Sequence, residues 1–305
     1  MKGTYLLIPR LQVQGANAQA AWWLINSAPV MACTMFGHAL GRHLDKPSTG
    51  VAVIHHTAQL HGEQFGYFRP QQRRGAVFIN RDDYSSKNKH ALSLQPTVSF
   101  SGEFSLVVEF EEMAEIDLAK VKDFLFKARL AGGQIIKHDD CELVKSGERE
   151  KWEKRLRPGF WLIDRRDLMQ KADGEDWLDA LLRITAPQER RKANAETTPR
   201  EQEPIDKREL TEPEEDESDW LDRPQIREPL PSSWMIATAL GYALLTPAVA
   251  RAGAREGYPH AFAEPLVGPV QYVSFYQFGD RSLPVWRSQW PRDDVFLLSQ
   301  PDLEI

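Results

Sequence analysis

The sequence predicts an α+β fold built on a split βαβ core, and three observations carry that prediction. Ahead of residue 186, strand-forming and helix-forming stretches follow one another as strand, helix, strand, strand, helix, strand. The two helical stretches have apolar residues near helical spacing and N-terminal signals, whereas the others are short apolar runs rich in Val, Ile and Phe. A long acidic segment then sets this core apart from a shorter C-terminal part.

The first strand is "TYLLIPRLQV", Thr4 to Val13. "APVMACTMFGHALGRHL", Ala28 to Leu44, reads as a helix with Pro29 in its first turn and Met31, Met35, Ala39 and Leu40 along one side. "GVAVIHHTAQL", Gly50 to Leu60, and "SFSGEFSLVVEF", Ser99 to Phe110, are strands. Between them lies a long basic stretch dotted with aromatics, His61 to Gln95. "DLAKVKDFLFKARL", Asp117 to Leu130, is a helix with Asp117 as its N-cap, and it runs into a glycine pair before "QII". This order is the ferredoxin-like or RRM-like pattern. It places the first and third strands side by side at the sheet centre and leaves open a face of the kind on which RNA is often held. The fold alone names no function.

The expected organisation is a core over residues 1–185 with an insertion at about 61–98, an acidic linker over 186–228, and a C-terminal part over 229–305 that packs on the core. At 305 residues and 42% hydrophobic content the chain can bury a core without staples. Cys33 and Cys141 lie far apart with no CxxC spacing, so neither a disulfide framework nor a zinc knuckle is indicated, and a reducing cytoplasm is the expected home. The N-terminal apolar run is broken by Pro9 and Arg10, too short for a secretory signal. "WMIATALGYALLTPAVA", Trp234 to Ala250, falls short of a membrane span and is expected to be buried.

Charge is unevenly spread. Ala186 to Asp222 holds 13 acidic residues against 6 basic ones, a net of −7, so a total of −6 leaves +1 for the rest. Arg69 to Lys89 and Arg149 to Arg166 are each net +4. Such stretches suit a polyanion as well as a solvated face. No HExxH, P-loop or GxSxG motif is present, and no cofactor or metal is indicated. His38, His43, His55, His56 and His61 are the residues to weigh for acid–base work. His55 and His56 are neighbours on a strand and point to opposite faces, so they cannot serve one phosphate. A non-enzymatic role is expected.

Several residues stand out as candidate RNA contacts. Arg10 precedes "GANA", whose Asn17 could bond base edges or close an Asx-turn. Arg155 and Arg157 lie where a helix must stop before Pro158, a position that favours cations with or without RNA. Gly132 and Gly133 either end a helix or let a partner approach the backbone closely, with Arg129 adding charge just upstream.

"YLLIPRLQVQGANAQ", "FGHALGRHL", "ARLAGGQI", "EKRLRPGFWLIDRRDLM" and "LDALLRI" together resemble, in the same order, segments of the Csy-complex subunit that holds the 5′ handle of the guide RNA. That family is the Cas-five-like branch of the RAMP superfamily, in type I-F CRISPR surveillance complexes. "IATALGYALLTP" and "HAFAEPLVGPVQYVSF" extend the resemblance more loosely toward the C-terminus. The resemblance implies a RAMP core whose glycine-rich loop contacts guide RNA (crRNA), and a thumb inserted between the second and third strands. The thumb would fall in His61 to Gln95, where Arg69, Arg73 and Arg74 mix with Tyr67, Phe68 and Phe78. It further implies as partners the crRNA 5′ handle, a large Cas-eight-like subunit, an adjacent backbone RAMP subunit, and target double-stranded DNA reached through the complex. The alternative is an endoribonuclease that processes precursor CRISPR RNA, as some Cas-five-like relatives do.

Overall fold

The structure, a computed structural model, describes residues 4–65, 67–70, 72–73, 76–77, 91–92, 97–111, 115–144, 148–170, 176–185, 234–252 and 257–303. The acidic segment 186–228, most of 61–98 and Arg74 lie outside the described residues. The fold is mixed α+β, with a large antiparallel sheet and few helices.

The predicted core elements appear as β1 (Thr4–Asn17), then two short strands β2 (Gln19–Ala21) and β3 (Leu24–Ile25), α1 (Val30–Leu44) and β4 (Ser48–Leu60). Short strands β5 (Gly62–Phe65), β6 (Tyr67–Pro70), β7 (Gln72–Arg73), β8 (Ala76–Val77) and β9 (Ala91–Leu92) precede β10 (Thr97–Phe110). Next come α2 (Leu118–Lys127), β11 (Arg129–Leu130), β12 (Gly133–Lys137) and β13 (Glu142–Val144). α3 (Arg149–Arg155), β14 (Phe160–Asp164), a 3-10 turn (Arg166–Leu168) and α4 (Trp177–Thr185) follow. The C-terminal part is β15 (Met235–Leu244), β16 (Ala263–Ser274), α5 (Phe275–Phe278), β17 (Val285–Arg292) and β18 (Val295–Ser299).

Pro29 is the N-cap of α1 and lies just outside the first turn. Asp117 caps α2 as expected, its carboxylate accepting from the backbone N–H of Ala119 at 2.9 Å. That helix ends at Lys127, three residues earlier than its sequence suggests, because Arg129 and Leu130 pair across a hairpin with Gln134 and Gly133. The glycine pair therefore serves a β-turn and not a helix stop. Ala131 and Gly132 have φ of 49° and 76°, the left-handed pair that a two-residue hairpin turn requires.

In the sheet β1 lies between β10 and β12, and β10 lies between β1 and β4, every pair antiparallel. α1 and α2 cover one face, burying Phe36, Leu40, Val121 and Leu125 against Leu6, Ile8, Val53 and Leu106. Beyond β4 the order continues β14, β16, β15, β18, β17, and β17 returns to β4 through Val285↔Ala52 and Trp286↔Val51. These six strands make a closed circuit, with Leu162, Leu240, Val270, Trp286 and Leu298 buried. Trp286 donates its indole N–H to the Leu162 carbonyl at 3.1 Å. The run from Trp234 to Ala250 is mainly the strand β15, and it is less buried than its composition predicts, since Trp234, Leu245 and Val249 are exposed. Among the described residues no helix is long and apolar enough to cross a membrane.

The face opposite α1 and α2 is only half open. Tyr5, Leu7, Ile54 and Val107 are covered by Trp152, Trp161, Phe275 and Phe278, so the apolar half of that face is core. An uncovered sheet was the expectation. It fails because α3, β14 and α5 supply the aromatic lid.

Candidate nucleic-acid interface

The other half of the face is polar, and the reason is visible in β10, where partly exposed Ser101 and Glu103, flanked by buried Ser99 and Ser105, alternate with buried Phe100 and Phe104. Opposite them, β1 offers Gln12, and a bulge between Ile8 and Leu11 turns Arg10 toward the same side. Arg10 has φ of 54°, a left-handed conformation unusual for arginine. Its backbone N–H donates to Ser105 Oγ at 2.9 Å, and its guanidinium meets Glu103 at 2.7 Å and the Arg157 carbonyl at 3.0 Å. Gln12 donates to the other Glu103 oxygen at 3.1 Å. Burial would push the Glu103 carboxyl up, but the bonds from Arg10 and Gln12 outweigh it and hold the group below its usual range.

His56 completes this cluster. One ring nitrogen is 2.7 Å from the Pro158 carbonyl, so that nitrogen carries the proton, and the other is 2.7 Å from Ser105 Oγ. Burial and the charge of Arg10 keep the ring neutral, against the pull of Pro158 and Glu103. His61 bridges Ser99 at 2.9 Å and Ser101 at 2.8 Å.

A second group forms at the far end of β1. The Asn17 backbone N–H donates to the Ala131 carbonyl at 2.8 Å, which brings the β11–β12 turn against the strand end. The Asn17 side chain closes an Asx-turn, its oxygen accepting from the Gln19 N–H at 3.0 Å. Exposed Arg129 reaches back to the Gly132 carbonyl at 3.5 Å. β7 joins the same end, Arg73 pairing with Thr97 and Gln72 with Val98, while Asn17 pairs with Ser99. A groove of about 320 Å³ opens beside it, lined by Asn17, Gln19, Asn26, Met31, Met35 and Ala131 among others.

The structure thus gathers Asn17, Arg129, Gly132, Gly133 and the strand bearing Arg73 at one place, and Arg10 with Arg157 at another. Arg155 lies apart, bonded to Glu142. Arg69 is exposed on the β5–β6 hairpin, its strand position opposite Glu63. Gly133 has its own reason to be glycine, because a Cβ there would stand 2.7 Å from the Ala16 nitrogen and 2.8 Å from its Cα. The close approach that the sequence suggested is therefore made by β1 itself. Gln12, Glu103, Ser105 and the ring pairings of His56 were not singled out beforehand, although the period-two polar pattern of "SFSGEFS" carries that signal.

His55 points the other way. It is 8% exposed, edge-on to Phe104 and Tyr272 with ring centroids 5.1 Å away in both cases. Burial, helped by repulsion between the two neighbouring rings were His56 also protonated, and opposed by a bond to the Ser27 backbone, lowers its pKa from 6.5 to about 4. The neutral ring is favoured in the folded state, so stability is retained above pH 6.5 and lost as the pH falls toward about 4. The expected loss over that window is about 3 kcal/mol. Urea midpoints measured against pH should fall less steeply for His55→Leu than for the parent, and parallel curves would assign the acid sensitivity elsewhere. Among the described residues no three His, Cys, Asp or Glu side chains are grouped as metal ligands would be.

One family model, described as CRISPR-associated protein (Cas_Csy2), matches residues 6–298. No curated protein matches the chain.

Proposed function

Because the chain belongs to the Cas_Csy2 family of CRISPR-associated proteins, and so to the subunits of the type I-F Csy complex, we propose that it is the non-catalytic subunit holding the 5′ handle of the guide RNA. The observation that carries this reading is the convergence of Asn17, the Ala131–Gly132 turn with Arg129, and the Arg73 strand at one end of β1 and β10. A tight two-residue turn hydrogen-bonded to the end of β1, with exposed Arg129 beside it and the strand bearing Arg73 on the other side, suits the phosphates and splayed bases of a single strand. The strand order β12, β1, β10, β4, with α1 and α2 as the two crossovers, supports a ferredoxin-like RAMP core. The proposed partners are the crRNA handle, the large subunit with which this chain forms the tail of the complex, and a neighbouring backbone RAMP subunit.

The histidines favour holding over cutting: His55 is enclosed and neutral, and both nitrogens of His56 are engaged within the sheet. Arg129→Ala should weaken binding of repeat-derived handle RNA about tenfold, about 1.4 kcal/mol, and reduce the salt dependence of binding by roughly one ion. The variant should melt as the parent does, since Arg129 is exposed. Unchanged affinity and salt slope would remove this end of β1 from the RNA site. Site-specific cleavage of repeat RNA by the pure chain, abolished by His38→Ala or His55→Ala, would replace the reading with an endoribonuclease.

A further inference from the structure

The β2–β3 hairpin turns on Trp22 and Trp23, which are 77% and 45% exposed. Tight turns ordinarily carry Gly, Asn, Asp or Ser, which supply the backbone freedom or local hydrogen bonds that tryptophan lacks. Each indole also brings about 150–250 Å² of largely apolar surface to a place where water must solvate it. Two adjacent tryptophans at a turn are thus unfavourable for the isolated chain, and their placement points to a ligand with flat apolar faces.

The tip is held by a fixed base. Gln19 donates to the Trp22 carbonyl at 3.0 Å, Asn26 N–H to the Ala18 carbonyl at 2.8 Å, and the Asn26 side chain to the Ala237 carbonyl at 2.8 Å. Gln19 is itself tied to Asn17, so the tryptophans are rooted at the same end of β1 as the Ala131–Gly132 turn. The groove beside them has amide side chains from Asn17, Gln19 and Asn26 and, among the described residues, no Asp or Glu in its lining. Amides match base edges, the absence of carboxylates in that lining admits a polyanion, and Arg129 stands on the adjoining turn.

We propose that Trp22 and Trp23 form a base-stacking platform for unpaired nucleotides of single-stranded RNA continuing away from the Asn17–Gly132 turn. The inference rests on the reading that this end of β1 holds RNA. Aromatic stacking tolerates any sequence, because every base has a flat π face. The platform therefore grips bases while the turn and Arg129 grip phosphate.

The test compares an oligouridine with an abasic ribose-phosphate oligomer of the same length, so that charge is constant and only bases differ. The full-length chain should bind the oligouridine about tenfold more tightly, about 1.4 kcal/mol. W22A/W23A should bind both oligomers alike at the abasic level, and W22F/W23F should restore most of the preference. Arg129→Ala should weaken both oligomers in parallel. A W22A/W23A chain that melts normally and keeps the full preference for bases overturns the platform while leaving the Arg129 result to judge the RNA site. Failure of the parent chain to bind either oligomer overturns both. Loss of large-subunit binding by W22A/W23A, with RNA preference unaltered, would overturn the platform in favour of a protein contact.

Discussion

Replacing Arg287 by alanine is expected to destabilise the chain by about 3–5 kcal/mol, the cost of leaving a buried carboxylate without its cation. That carboxylate is Glu109, 8% exposed on β10, which accepts from Tyr5 Oη at 3.0 Å and from Thr49 Oγ1 at 2.6 Å, and is paired with Arg287 from β17. Arg287 also reaches Asp302 at 3.1 Å and the Thr49 carbonyl at 3.3 Å, so one guanidinium on β17 ties Asp302 to β4 and β10. Burial raises the Glu109 pKa, but the bonds from Arg287, Thr49 and Tyr5 outweigh it and bring the group below 4.5. A depressed carboxyl adds stability above pH 4.5 that disappears as the pH falls through its folded value. The variant should lose this contribution and unfold at higher pH in an acid titration. Arg287→Ala combined with Glu109→Gln should recover more than half the loss, since an amide oxygen still accepts from Tyr5 and Thr49. Urea denaturation decides it, and a single-variant loss below about 1 kcal/mol would class the pair with ordinary surface bridges.

Gly133→Val is expected to cost about 3 kcal/mol or more, at the upper end of overpacking penalties. Its Cβ would meet the Ala16 backbone at 2.7 Å and 2.8 Å and Val13 Cγ1 at 2.8 Å, and strand backbone cannot yield as a side chain tip can. Gly132 is the opposite case. A Cβ there meets no atom within 4 Å, but φ of 76° makes Gly132→Ala a purely conformational change worth about 1 kcal/mol. Parallel thermal melts should show the large loss at 133 and the small one at 132. A Gly133→Val chain melting with the parent would mean that β12 and β1 do not pack as closely as described.

What could be read from the sequence followed from local chemistry. Asp117 announces a cap through a side chain that bonds its own neighbours, and the alternation in "SFSGEF" records the buried side of Phe100 and Phe104. What could not be read depended on distant partners. Arg129 and Leu130 are good helix formers, and only pairing with Gln134 and Gly133 makes them strand. Arg10 carries no mark of its left-handed backbone, because the bulge is set by Glu103 and Ser105 more than ninety residues away. The lid of Trp152, Trp161 and Phe275 over the apolar half-face is likewise invisible to periodicity. At the candidate site, the sequence offers Asn17, Arg129 and the glycines separately, and the Asn17–Ala131 hydrogen bond is what joins them.

β4 is hydrogen-bonded along both sides, to β10 on one and to β14 and β17 on the other. During synthesis its second side must wait, because Val285 and Trp286 leave the ribosome more than two hundred residues after Val51 and Ala52. At about 5–20 residues per second that interval is roughly 12–47 s. Throughout it, the half-built sheet presents Val51 and Ala52 as an unpaired apolar edge, the kind of template on which nascent chains associate. The acidic segment emerges within this same interval, and its net charge of −7 gives neighbouring unfinished chains a reason to stay apart.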